Sequence, residues 1–181
     1  EWIKTTLTMN NGKWDPRNMN VVHHEKFFDI EIPHDWAHYR YKVGDEWIEG
    51  QLRLRGTVDL MINNGMLEIV DWKTGARRWD WATNKEKSYD DFANDSQLLL
   101  YYYVMRNELK TKDIAVTIMY PRCGGAYTFN FNDSDYEKAE LMIREYFEKI
   151  RLDVNPILAP KIGHGHACNF CDFRKMEIDG Q

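Results

Sequence analysis

Two short apolar segments joined by Asn63-Asn64-Gly65, each carrying a carboxylate, constrain this chain more than any other feature. The run Leu67-Glu68-Ile69-Val70-Asp71-Trp72-Lys73-Thr74-Gly75 reads as a buried strand, rich in Val and Ile, that ends in charge. Side chains alternate faces along a strand, so Asp71 and Lys73 project to one side and Trp72 to the other. Gly56-Thr57-Val58-Asp59-Leu60 reads as the preceding strand, and the Asn-Asn-Gly between them is a strong hairpin signal. Closing that hairpin folds Asp59 back towards Asp71, so two acids and one amine converge. Two carboxylates suit Mg²⁺ or Mn²⁺, hard cations that take oxygen ligands and keep several waters. Such ions make a nucleophile of water and clamp the attacking and leaving oxygens of an in-line phosphoryl displacement. A lysine beside them can orient the water or steady negative charge in the transition state. The bland alternative is a salt bridge between strand neighbours, which is the commoner fate of an Asp/Lys pair. Position argues against it here, because a charged pair ends an apolar strand and a hairpin brings in a third charge.

Three motifs follow one another in order: Gly56-Thr57-Val58-Asp59, then Glu68-Ile69-Val70-Asp71-Trp72-Lys73-Thr74-Gly75, then Gln97-Leu98-Leu99-Leu100-Tyr101. Together they resemble the RecB-like branch of the PD-(D/E)XK nuclease superfamily, whose pattern is Gly-x-x-Asp, an acidic-x-Lys-Thr-Gly strand and a helix bearing Gln-x-x-x-Tyr. The resemblance spans roughly residues 21–150 and is similar to that of CRISPR-associated and phage RecB-like exonucleases. It implies a restriction-endonuclease-like core, with Asp59 and Asp71 as metal ligands and Lys73 as the catalytic amine. The carbonyl of Trp72 is a further ligand by the same resemblance. Gln97 and Tyr101 are four apart and share one face of a helix, which in the family lies beside the active site. Tyr101 is divided between that role and the core, because Leu98, Tyr101, Tyr102, Met105 and Leu109 form an amphipathic stripe.

A third metal ligand is expected upstream. Val21-Val22-His23-His24-Glu25-Lys26-Phe27-Phe28 is similar to the family's early Val-x-x-Glu strand, and it nominates Glu25 ahead of His23 or His24. The family's usual histidine sits on a helix before that strand, and residues 1–20 do not read as one. Asn10-Asn11-Gly12 signals a turn instead. The chain opens on Glu1-Trp2-Ile3 without an initiator Met, which reads as a fragment or domain. It shows no signal peptide or long apolar span, which leaves secretion and membrane insertion without support.

The length of 181 residues suits one domain with a sizeable core, and seven Trp and ten Tyr supply its bulk. A net charge of −5 implies that contact with nucleic acid is made through a localised basic groove. The segment after Lys73 offers one: Arg77, Arg78, Trp79 and Lys85, with Trp81, Lys87 and Tyr89 interleaved. Basic residues among aromatics suit phosphate contact plus base stacking on a single strand. An ordinary loop whose Trp residues fold back onto the core is the equal alternative.

Strands are expected near 21–32, 51–62 and 66–73, followed by a loop of about twenty residues and a helix near 94–109. Residues 113–120 and 126–131 read as a strand pair around Cys123-Gly124-Gly125. The last helix is expected to start at Ser134-Asp135-Tyr136-Glu137, a capping-box pattern, and to bury Tyr136, Ala139, Ile143, Tyr146, Phe147 and Ile150. The order of elements gives an α/β sandwich, a mixed central sheet flanked by helices, over residues 1–155.

The tail, 156–181, contains His164-Gly165-His166-Ala167-Cys168-Asn169-Phe170-Cys171. Cys168 and Cys171 have metal-ligand spacing, and two His precede them, so a zinc site is one reading. The resemblance suggests another, since many RecB-like nucleases use a C-terminal Cys-x-x-Cys in an iron–sulfur cluster held by four Cys. Only three Cys occur in the whole chain, so the ligand set is incomplete and a relic or truncated cluster site is preferred over zinc. Three Cys give no disulfide framework and fit a reducing, cytoplasmic setting.

The first expectation is therefore a metal-dependent enzyme hydrolysing DNA phosphodiesters. The resemblance makes it an exonuclease or a single-strand-directed nuclease of recombination, repair or phage DNA processing, with a helicase or other nuclease-complex subunit as its protein partner. A non-catalytic nucleic-acid-binding or scaffold module would lack at least one of Asp59, Asp71 and Lys73, and all three are present. A different metal-dependent phosphohydrolase would act on nucleotides but not on polymers.

Overall fold

A computed structural model describes residues 2–75, 78–80 and 84–152. In chain order the elements are α1 (Trp2–Gly12), β1 (Val21–Glu31), β2 (His38–Val43), β3 (Glu46–Gln51), β4 (Arg53–Asn63), β5 (Leu67–Trp72), β6 (Trp79–Asp80) and β7 (Lys85–Glu86). They continue with α2 (Tyr89–Ala93), α3 (Ser96–Leu109), β8 (Ile114–Tyr120), β9 (Gly125–Asn130) and α4 (Asp133–Leu152). The chain separates into two units, Glu1–Glu148 and Lys149–Gln181. Of the second, only the last turn of α4 lies among the described residues.

The first unit is built on a five-stranded sheet ordered β1-β4-β5-β8-β9. All its pairs are antiparallel except β5–β8, so it is the mixed sheet expected of a restriction-endonuclease-like core. The interior strand β8, Ile-Ala-Val-Thr-Ile-Met-Tyr, is buried along its whole length, which explains its continuous rather than alternating apolar pattern. One face of the sheet packs on α3 and α4, through Leu98, Leu99, Tyr102, Val104 and Met105 of the first helix and Ala139 and Ile143 of the second. The other face carries Ile62, Val70 and Met119, closed over by Trp14 from the N-terminal segment. Glu68 lies on this second face, where it accepts a 2.5 Å hydrogen bond from Thr117 Oγ1 and pairs with Lys13 at 3.2 Å.

Between β4 and β5 the register pairs Leu60 with Val70, Met61 with Ile69, Ile62 with Glu68 and Asn63 with Leu67. Three residues close the hairpin, and Gly65 at φ +103 supplies the positive φ that the tight turn needs. Gly56 has a different role. A Cβ there would stand 2.5 Å from Phe28 Cζ on β1, so the bare backbone gives the ring its seat. Gly56→Ala is expected to cost about 1–3 kcal/mol by overpacking, measured as a lower denaturant midpoint at unchanged slope.

Several elements depart from the sequence reading. Residues 1–20 are not irregular: α1 is helical to Thr8 and then turns through left-handed backbone at Asn10, Asn11 and Gly12. Thr5, Thr6 and Thr8 are weak helix formers, which hid this helix, and Asp15 and Trp14 beyond it are buried. The loop after β5 contains the β6–β7 pair and α2, which opens on a capping box between Ser88 and Asp91. A two-stranded ribbon, β2–β3, is inserted between β1 and β4 and turns at Gly44, φ +58. Tyr39 of the ribbon packs on Phe147 of α4, while Tyr41, Val43, Trp47 and Ile48 are exposed.

At the start of α4 the cap is Asn132, not Ser134. Its Oδ1 accepts from Ser134 N, and Asp135 Oδ2 accepts from Asn132 N, a box placed two residues ahead of the expected one. Ala139, Ile143 and Phe147 are buried as expected, but Tyr146 and Ile150 are exposed, because only a narrow stripe of the helix meets the sheet. Leu109 at the end of α3 is likewise exposed.

Candidate active site

Continuing the β4–β5 register one step past Leu60 and Val70 sets Asp59 opposite Asp71. Opposed residues of an antiparallel pair share a face, so the two carboxylates point to the α3 side while Trp72 turns to the far face. There Trp72 meets Trp14 edge-on, with ring centroids 6.4 Å apart. The backbone helps to fix the arrangement, since Trp72 N donates to Asp59 Oδ2 at 2.8 Å. Lys73, just past the strand, is tied by its own N–H to Met119 O at 2.8 Å.

Asp71 is 2 % exposed. Burial pushes its carboxyl above the usual range, the Lys73 ammonium opposes that shift, and the charges of Asp59 and Asp95 add to it. Lys73 Nζ pairs with Asp71 Oδ2 at 2.7 Å, so an ammonium meets this buried oxygen. A buried carboxylate is costly unless a cation meets it, and the Lys73 ammonium does so here.

From Lys73 a chain of hydrogen bonds runs into α3. Lys73 Nζ donates to Gln97 Oε1 at 2.8 Å, Gln97 Nε2 donates to Tyr101 Oη at 2.9 Å, and Tyr101 Oη donates to Thr57 O at 3.2 Å. The ring of Tyr101 lies in the core, and its hydroxyl ties Gln97 to β4. Burial first, then the charge of Asp71, pushes its hydroxyl up to about 12, which keeps it protonated and donating.

One residue of this network was missed from the sequence. Asp95 caps α3, its Oδ1 accepting from Gln97 N at 2.9 Å and Leu98 N at 3.4 Å, and its Oδ2 pairs with Lys87 Nζ at 2.7 Å. Its signal was present, because an Asp directly before the first residue of an apolar helix is a start mark.

The other expected residues stand apart. Glu25 lies across from Asp59, between the pairs His24–Leu60 and Lys26–Val58. Its backbone is left-handed at φ +46, a rare conformation for a residue with a Cβ, and its side chain is exposed. Among the described residues no three His, Cys, Asp or Glu side chains gather closely enough to hold a metal ion by themselves. In the expected basic groove, Arg78 is paired with Glu86 at 2.6 Å and stacks over Tyr127, Lys85 is exposed, and Lys87 is held by Asp95. Arg77, the side chain of Trp79, and Cys168 and Cys171 lie outside the described residues.

The sheet and site together define a restriction-endonuclease-like core with an acidic pair and a lysine at the end of a β-hairpin. A family model described as the PD-(D/E)XK nuclease superfamily matches residues 5–176. The chain belongs to that superfamily. No curated protein sequence matches the chain significantly. Among solved structures it is similar to the crystal structure of SSO0001, at 14% identity and TM-score 0.35, covering 77% of this chain and 52% of that one. It is also similar to a candidate exonuclease from Eubacterium rectale, at 11% identity and TM-score 0.43, covering 83% of this chain and 57% of that one. The chain thus spans little more than half the length of either, and at these scores neither likeness adds to the family assignment. Among the described residues no helix is long and apolar enough to cross a membrane.

Proposed function

We propose that this chain is a Mg²⁺- or Mn²⁺-dependent deoxyribonuclease, acting as an exonuclease or on single-stranded DNA in recombination, repair or phage DNA processing. The observation that carries the reading is the convergence of two carboxylates and an amine: Asp71, buried and paired with Lys73, faces the same side of the hairpin as Asp59. Oxygen donors on two carboxylates fit a hard divalent cation, with the Trp72 carbonyl as a further donor and Glu25 as the nearest upstream acid. When bound, such an ion supplies a Lewis acid for phosphate oxygens and lowers the pKa of water.

The side chains of this chain supply the rest. Lys73, held between Asp71 and Gln97, presents a fixed positive charge to a phosphodiester undergoing attack. Tyr101 and Thr57 hold Gln97, so the amine does not have to be ordered when substrate arrives. Trp72, pinned from behind by Trp14, keeps the backbone that binds Asp59 in register. Arg77, Arg78, Trp79 and Lys85 follow directly after Lys73 and are proposed to receive the strand. A cytoplasmic setting, a helicase or nuclease-complex partner, and a tail at 156–181 bearing a relic cluster or zinc site complete the proposal.

End-labelled single- and double-stranded DNA, incubated with Mg²⁺ or Mn²⁺, tests the reading. Wild type is expected to cut, whereas Asp71→Ala and Lys73→Ala lose at least about a hundredfold in rate, as removal of a directly acting electrostatic group does. The product ladder separates end-trimming from internal cutting. Folded wild type that binds DNA but never cuts it with either metal would overturn the proposal.

A further inference from the structure

Asp95 does more than a helix cap requires. A cap needs one side-chain oxygen, and Asp95 Oδ1 fills that need by accepting from Gln97 N and Leu98 N. Its second oxygen is surplus to the cap and is committed to Lys87 Nζ at 2.7 Å. The pair is half-buried, with side-chain exposures of 15% and 26%, so solvent screens it less than an exposed pair. Lys87 is itself fixed twice more: its N–H donates to Arg78 O at 2.6 Å and its ammonium stands over the Phe92 ring. The residue whose backbone Asp95 holds is Gln97, and the Gln97 side chain is what receives Lys73 Nζ.

We propose that Asp95 and Lys87 are a positioning pair that seats the head of α3, so that Gln97 holds the Lys73 amine in its working place. The catalytic consequence rests on the nuclease reading above; the placement of the amine does not. Neither residue touches the reacting atoms. The effect on rate comes through geometry, since misplacing a reacting group by about 1 Å costs about a hundredfold.

Asp95→Asn keeps a good N-cap and loses the pair, Lys87→Met loses the pair from the other side, and Lys87→Arg restores it. Two readouts are taken on the full chain: steady-state cleavage of a labelled oligonucleotide with Mn²⁺, and the rate at which a limiting amine reagent modifies Lys73 without substrate, followed by mass spectrometry. Asp95→Asn and Lys87→Met are each expected to lower kcat about tenfold with KM within about twofold, and to speed Lys73 modification several-fold. The double variant should fall no further than the weaker single, as for coupled residues, and Lys87→Arg should recover most of kcat. Unchanged Lys73 modification overturns the pair, as do additive losses or a rise in KM alone, which would place Lys87 on the substrate. Faster Lys73 modification in a protein whose wild type never cuts would uphold the pair and remove the nuclease reading instead.

Discussion

Asp71→Asn is expected to lose about a thousandfold of metal-dependent cleavage, the scale for removing a directly acting electrostatic group, and to unfold at a higher temperature than wild type at neutral pH. Both effects come from one buried oxygen. Burial raises the carboxyl of Asp71 above its unfolded value. For a group whose folded pKa is raised, the stabilising contribution is present below the unfolded pKa and is lost as pH rises through the folded one. As pH rises, Asp71 therefore burdens the fold increasingly, and the near-isosteric amide relieves it. The gap in melting temperature between variant and wild type should be widest near neutrality and close as the pH is lowered into the carboxylate range. Divalent metal should raise the wild-type melting temperature, by an amount equivalent to about 2.7 kcal/mol at a hundred times Kd, and leave Asp71→Asn nearly unmoved. Melting curves across pH, with and without Mg²⁺, read both effects. A variant less stable than wild type at neutral pH, or one that still cuts, would show that Asp71 is not the strained ligand described here.

Trp14→Ala is the change expected to cost most stability, about 3–5 kcal/mol, the range for removing a large aromatic from a packed interior. The side chain is 1% exposed and closes the second face of the sheet over Ile62, Val70 and Met119. Few of its neighbours can collapse into the space, because three of them sit on hydrogen-bonded strands of the sheet. The loss reaches the site as well, since Trp14 is the edge partner of Trp72, whose N–H anchors Asp59. A urea or guanidinium titration measures the cost. A midpoint close to wild type would mean that the N-terminal segment is a loose cover and not a wall of the core.

The hairpin bearing Asp59 and Asp71 was legible because its signals are local. Alternating or continuous apolar runs, a turn triplet and charges at fixed spacing lie within residues 56–75, and strand periodicity alone puts Asp71 and Lys73 on one face. The helix bearing Gln97 and Tyr101 was legible for the same reason, as were the strands β8 and β9. Elements without a periodic pattern were not. α1 is rich in Thr, and the segment just after it is held to the sheet by contacts that skip about fifty residues, such as Lys13 to Glu68. The β2–β3 ribbon carried a turn mark at Gly44, but its exposed Tyr41, Val43, Trp47 and Ile48 blur the division of faces on which strand reading depends.

Sequence alone determined the acidic pair and the lysine, set by spacing within one hairpin, and the mixed-sheet class, set by the order of elements, while the resemblance to the nuclease superfamily put Gln97 beside them. Tertiary structure alone decided which oxygen of Asp71 meets Lys73 and which face Trp14 closes. It also decided that Asp95 and Lys87 stand behind Gln97, and that Arg78 is already paired with Glu86. These are properties of distances between segments far apart in the chain, and the burial that gives Asp71 its raised carboxyl exists only once sheet and helices have closed around it.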